Sequence, residues 1–174
     1  DPLLEPRITD FGLARDLQND SDLTLTGQVL GSPNYISPEQ ARGQSAGPAS
    51  DLYSLGAILY HLLTARPPFA AETLTDTLKQ AAEHDPVSPR LLNPSVPRDL
   101  ETICLKCLEK DPARRYASAL DLAEDLRRFL DHEPIKAKPP TWRNRITKWS
   151  RRHPVGVRAA LTYLFPARSN GAGA

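Results

Sequence analysis

Pro48-Ala-Ser-Asp-Leu-Tyr-Ser-Leu-Gly-Ala-Ile-Leu-Tyr-His-Leu-Leu-Thr64 is the stretch from which the rest of the chain can be placed. Proline at the first helical position, Asp51 in the first turn and apolar residues at helical intervals predict one long helix. Beyond Asp51 the apolar residues fall on nearly every face, the pattern of a helix buried on all sides at the centre of a domain. Pro67-Pro68 ends it, because proline lacks a backbone N–H and its ring clashes with the preceding turn.

Toward the C-terminus the periodicity predicts three more helical segments, at residues 73–84, 98–109 and 117–131, separated by proline-rich connections such as Val87 to Pro97. Toward the N-terminus, Ser37-Pro38-Glu39-Gln40 offers a capping hydroxyl, a proline and a first-turn acid, which predicts a short helix that stops at Gly43. Residues 13–37 read as one long loop, and loops of that length are usually functional or disordered. Arg7-Ile-Thr-Asp10 reads as the end of a short strand. The expected architecture is mainly α, with one strand remnant and one long loop, and a packed part that ends near Glu133.

Composition sets the class. With 174 residues, 40% hydrophobic and 25% charged, the chain matches a soluble globular protein of about one domain. It holds no methionine and begins at Asp1, which reads as a fragment. Cys104 and Cys107 lie in Leu100-Glu-Thr-Ile-Cys-Leu-Lys-Cys-Leu108. One such pair is half a zinc site at most, and without a second pair it reads as two thiols packed in a helix, in keeping with a reducing cytoplasm. Charge is unevenly distributed: residues 1–133 hold all 21 acids and 13 of the 22 Lys and Arg, so the last 41 residues are purely basic. The stretch Pro154 to Pro166 is interrupted by Arg158 and too short to cross a bilayer.

Thr9-Asp10-Phe11-Gly12-Leu13-Ala14-Arg15, then Gly31-Ser32-Pro33-Asn34-Tyr35-Ile36-Ser37-Pro38-Glu39, is similar to the Asp-Phe-Gly and Ala-Pro-Glu signatures of protein kinases, in order and separation. Ser50-Asp51-Leu-Tyr-Ser-Leu-Gly56 and Lys110-Asp-Pro-Ala-Arg-Arg-Tyr116 resemble the motifs that come next. The resemblance covers residues 5–131, and its phrasing is most similar to the bacterial receptor-type serine/threonine kinases. It implies the C-terminal helical lobe of an α+β fold, entered just before Asp-Phe-Gly. The divisions it suggests are a partial kinase domain over 1–133, a basic juxtamembrane-like segment over 134–158 and a disordered tail over 159–174.

The resemblance also implies roles. Asp10 would bind the Mg2+ that bridges the phosphates of ATP, where a hard carboxylate suits a hard cation. Phe11 would pack against the upper part of the domain, and Gly12 would let the backbone switch. Thr24 and Thr26 fall where such kinases carry activating phosphothreonines, and phosphate there would order the loop against basic side chains. Ser32 and Tyr35 would lie in the substrate-proximal loop. Glu39 and Arg115 resemble the buried pair that ties the activation segment to the helical lobe, and Asp51 resembles the residue that holds the catalytic loop through backbone hydrogen bonds.

No Gly-rich loop, strand lysine, helix glutamate or His-Arg-Asp loop precedes Asp10, so none of the general-base residues is present. The expectation is therefore a serine/threonine kinase that needs a longer chain to act on protein substrates, with this piece inactive alone. The alternative is a non-catalytic kinase-like scaffold or binding module. In the tail, Trp142, Ile146 and Trp149 share one stripe of a basic helix-like run, which suits an anionic membrane surface reached through residues 136–152. No nucleic-acid partner is expected, a homodimer is left open, and the location would be cytoplasmic, at the inner face of the plasma membrane in a longer protein.

Overall fold

The computed structural model describes residues 33–139, all of them within one compact unit. They form six α-helices: α1 (Pro38–Ala41), α2 (Pro48–Thr64), α3 (Leu74–Glu83), α4 (Pro89–Leu92), α5 (Arg98–Cys107) and α6 (Ala119–Leu130). Two 3-10 turns, Pro33–Tyr35 and Pro112–Arg114, precede α1 and α6. No strand occurs among the described residues, and the predicted strand end at Arg7–Asp10 lies outside them.

Capping explains most of the boundaries. Ser37 and Gln40 close a reciprocal box on α1, with the Gln40 amide donating to Ser37 Oγ at 3.4 Å and the Ser37 amide to Gln40 Oε1 at 3.2 Å. Thr73 accepts from the Asp76 amide at 3.0 Å and Ser118 from the Asp121 amide at 3.1 Å, which starts α3 and α6. α2 stops at Ala65, whose amide makes the last helical bond to the His61 carbonyl and whose left-handed backbone (φ 57°) turns the chain out of the helix.

α2 is the element on which the others are built, packing against α5, α4 and the Pro33–Tyr35 turn. It meets α5 most closely at Gly56, where an added Cβ would overlap Cβ of Cys107. Two buried clusters flank this crossing. One joins Leu52, Ile103, Cys107, Tyr116, Leu122 and Ala137, and the other joins Tyr53, Ala57, Tyr60, Cys104 and Leu108. Cys104 and Cys107 are both free and buried, so α5 carries one thiol into each cluster. Burial pushes the Cys107 thiol up to about 12 and raises Cys104 still further, which leaves both as inert packing groups at neutral pH.

Two expectations need correction. α2 is not buried on all sides: Leu55, Ile58 and Leu62 are 48%, 47% and 77% exposed. An all-round apolar pattern says that every face can be covered, but among the described residues the covering elements lie on the opposite face. Nor does the packed chain end near Glu133, because Ala137 is only 4% exposed and Ile135 packs against the first cluster.

Candidate functional site

Glu39, in the first turn of α1, and Arg115, just after the Pro112–Arg114 turn, meet as a bidentate pair. Arg115 Nη1 donates to Glu39 Oε1 and Nη2 to Oε2, each at 2.7 Å. The guanidinium also donates from Nη1 to the Ala49 carbonyl at 2.6 Å, from Nε to the Glu109 carbonyl at 2.9 Å and from Nη2 to the Lys110 carbonyl at 3.4 Å. Every N–H of the arginine thus has an acceptor, which a lysine at this position could not reproduce. The Arg115 side chain is fully buried and stacks its Cζ over the Tyr53 ring at 5.0 Å.

Burial by itself would raise the Glu39 carboxyl. Hydrogen bonds from Arg115, and from Ser50 Oγ at 2.7 Å, outweigh burial and hold it at about 2. Arg114, the neighbouring arginine, instead makes a 3.8 Å contact to Glu109 with its side chain 45% exposed. The pair therefore connects three separate stretches of chain: α1, the start of α2 and the 109–115 turn.

Further bonds stiffen this arrangement. The Ala81 and Ala82 carbonyls in the last turn of α3 accept from Lys110 Nζ at 2.6 Å and Arg42 Nη2 at 2.5 Å, cations well placed at a helix C-terminus. Lys110 Nζ also lies 4.3 Å from the centre of the Phe69 ring. On the other side, Tyr35 is held to α2 twice. Its hydroxyl lies 2.7 Å from His61 Nδ1, and its carbonyl accepts from Ser54 Oγ at 3.0 Å.

Of the residues singled out by sequence, the structure brings Glu39 and Arg115 together and places Tyr35 on the α2 face nearby. Asp51 is exposed in the first turn of α2, with no hydrogen-bond partner among the described residues. Asp10, Phe11, Gly12, Thr24, Thr26 and Ser32 lie outside the described residues. Among the described residues no group of three His, Cys, Asp or Glu could hold a metal ion, and no helix is long and apolar enough to cross a membrane. Sequence reasoning missed Ser50, Ser54, His61 and Asp125. The only signal for His61 was a polar side chain inside an apolar run, and for Asp125 there was none, since an acid in an amphipathic helix ordinarily faces water.

Comparison with known proteins is consistent with this geometry. The family model described as the protein kinase domain matches residues 3–127, more than half of the chain. The serine/threonine-protein kinase PknB of Mycobacterium leprae is 38% identical over 131 residues, 75% of this chain and 21% of that protein. The probable serine/threonine-protein kinase SCO3848 of Streptomyces coelicolor is 40% identical over 133 residues, 75% of this chain and 20% of that one. PrkC of Bacillus subtilis is 41% identical over 132 residues, 76% of this chain and 20% of that one. The chain thus spans about a fifth of the length of the curated relatives it matches. A solved twitchin kinase region from C. elegans aligns over 48% of this chain and 15% of its own, at 28% identity and a TM-score of 0.45. With the motifs in order, the helical fold around α2 and the domain match over residues 3–127, the chain belongs to the protein kinase family, as the C-terminal helical part of that domain.

Proposed function

We propose that this chain is the substrate-side part of a bacterial receptor-type serine/threonine protein kinase, which in its longer form transfers the γ-phosphate of ATP to protein hydroxyls. The observation that carries the reading is the Glu39–Arg115 pair, a fully bonded buried anchor placed right after the Tyr-Ile-Ser-Pro segment that would face a substrate. Phosphoryl transfer depends chiefly on positioning and charge neutralisation, so a rigid seat for the substrate-side segment is a direct contribution to rate. Mg-ATP, when bound, supplies the phosphoryl group and its counter-charge. Asp10 is assigned to the magnesium, and Thr24 and Thr26 to activating phosphorylation.

In the described part, α1 is capped by Ser37, fixed by Arg115 through Glu39 and tied to α3 by Arg42. Tyr35 is clamped by His61 and Ser54. These contacts hold residues 33–41 as a platform against α2. The chain alone carries no Gly-rich loop, strand lysine or His-Arg-Asp loop and is assigned no activity by itself. Residues 136–152 are assigned to an anionic membrane surface on the cytoplasmic side. Within that stretch Lys136 bonds Glu124 through Nζ at 2.7 Å and Ala137 is buried in the domain, so the contact would start beyond Ala137.

The test is the coding sequence extended in frame upstream of Asp1, assayed for Mg2+-dependent transfer of labelled phosphate from ATP to itself and to added protein. Transfer that disappears in Asp10→Ala supports the reading, and the 174-residue chain alone should transfer none. An extended protein that neither binds Mg-ATP nor transfers phosphate would refute it in favour of a non-catalytic scaffold.

A further inference from the structure

The last described segment is built into the domain. After α6 the chain turns at His132, in the left-handed region at φ 58°, and brings Ile135 and Ala137 onto the cluster of Leu52, Ile103, Cys107, Tyr116 and Leu122. Asp125, on α6 and 0% exposed, is what holds it. Asp125 Oδ1 accepts from the Lys136 amide at 2.7 Å, and Oδ2 accepts from the Ala137 amide at 2.9 Å and the Tyr116 hydroxyl at 2.8 Å. A buried carboxylate persists only when donors fill its oxygens, and two of these three donors belong to the segment it holds. Asp125 and the segment therefore require each other.

The third donor gives this latch a wider reach. Tyr116 directly follows Arg115, which leaves the Pro112–Arg114 turn in extended backbone (φ −73°, ψ −170°). One residue of the dipeptide bonds Glu39 of α1 and the other bonds Asp125 of α6. Both residues are almost wholly buried, at 4% exposure each, so neither can shift without disturbing its neighbour's packing. We propose that residues 134–139 act as a strap that couples the chain beyond them to the Glu39 anchor, through the shared Arg115-Tyr116 pair. With the strap seated, Tyr116 is fixed and α1 is held tight. With the strap released, Asp125 keeps only Tyr116, the pair relaxes and α1 loosens. The basic segment that follows would then report its own engagement to α1 and the Glu39 anchor, a coupling that does not depend on the kinase reading.

The experiment is amide hydrogen exchange on the full 174-residue chain and on Asp125→Asn and Tyr116→Phe, the second of which keeps the ring and removes only the hydroxyl. Both variants should lose protection at Lys136 and Ala137, and the Ala41, Arg42 and Gln44 amides across α1 should exchange about fivefold faster or more, the usual lower range for coupled sites. The Leu91 and Asn93 amides across α4, which close a helix of the same length away from the strap, should not change. Coupling is reciprocal, so Glu39→Gln should speed Lys136 and Ala137. Three results would overturn the proposal: free-chain exchange at Lys136 and Ala137 in the unaltered protein, an open strap with α1 unaffected, or equal acceleration at α1 and α4, which is general destabilisation.

Discussion

Replacing Arg115 by leucine removes a guanidinium whose side chain is 0% exposed and whose every N–H is bonded, and strands Glu39 with a side chain 10% exposed. Breaking a buried pair from one side costs on the order of 3 to 5 kcal/mol, because the remaining charge stays desolvated. The proton linkage gives an independent figure. Glu39 is held at about 2 against an ordinary 4.5, and at roughly 1.4 kcal/mol per unit that difference is worth about 3 to 4 kcal/mol. A depressed carboxyl binds its proton more weakly in the folded state than in the unfolded one. Its contribution is therefore complete above pH 4.5 and is lost as the pH falls from 4.5 toward 2. Urea unfolding followed by far-UV circular dichroism, at pH 7 and at steps down to pH 3, measures both. Arg115→Leu should lower the unfolding free energy by about 3 kcal/mol at pH 7, and Glu39→Gln should flatten the acid limb that the unaltered protein shows. A cost below about 1 kcal/mol for Arg115→Leu, typical of an exposed pair, would refute the argument, as would an unchanged acid limb in Glu39→Gln.

Two further outcomes follow from the α2–α5 crossing. Gly56→Ala should destabilise by about 1 to 3 kcal/mol through overpacking against Cys107, read as a lower urea midpoint with an unchanged slope. Cys104 and Cys107 should resist a thiol reagent such as dithionitrobenzoate at pH 8 in the native protein and react fully once unfolded in guanidinium. Prompt labelling of native protein would mean that α5 is not packed on α2 as described.

Much of the helical order could be read from local signals. Ser37, Thr73 and Ser118 mark helix starts because a side-chain oxygen caps the first free amides whatever the rest of the fold does. The segments expected at 73–84, 98–109 and 117–131 are helical over Leu74–Glu83, Arg98–Cys107 and Ala119–Leu130, a difference of at most two residues at any end. The single turn Pro89–Leu92 was hidden in what reads as a proline-rich connection, since four residues are too few to show a period. The motif around Arg115 pointed to one arginine of two, but not to its carbonyl acceptors at Ala49, Glu109 and Lys110, which come from backbone and leave no trace in residue identity.

The sequence by itself determined what depends on order and local chemistry: the family, through four motifs in succession, the length of α2 and the helix starts. Only the tertiary structure decided which face of α2 is covered, because Leu55, Ile58 and Leu62 have the same apolar character as Leu52 and Leu59 and differ only in what packs against them. It likewise decided that Asp125 is interior. The same side chain would face water on an isolated amphipathic helix, and it is buried here because a segment eleven and twelve residues further along returns two amides to its oxygens. The donors in those bonds are backbone amides, which every residue but proline possesses, so only the path of the chain through space can bring them to a particular carboxylate.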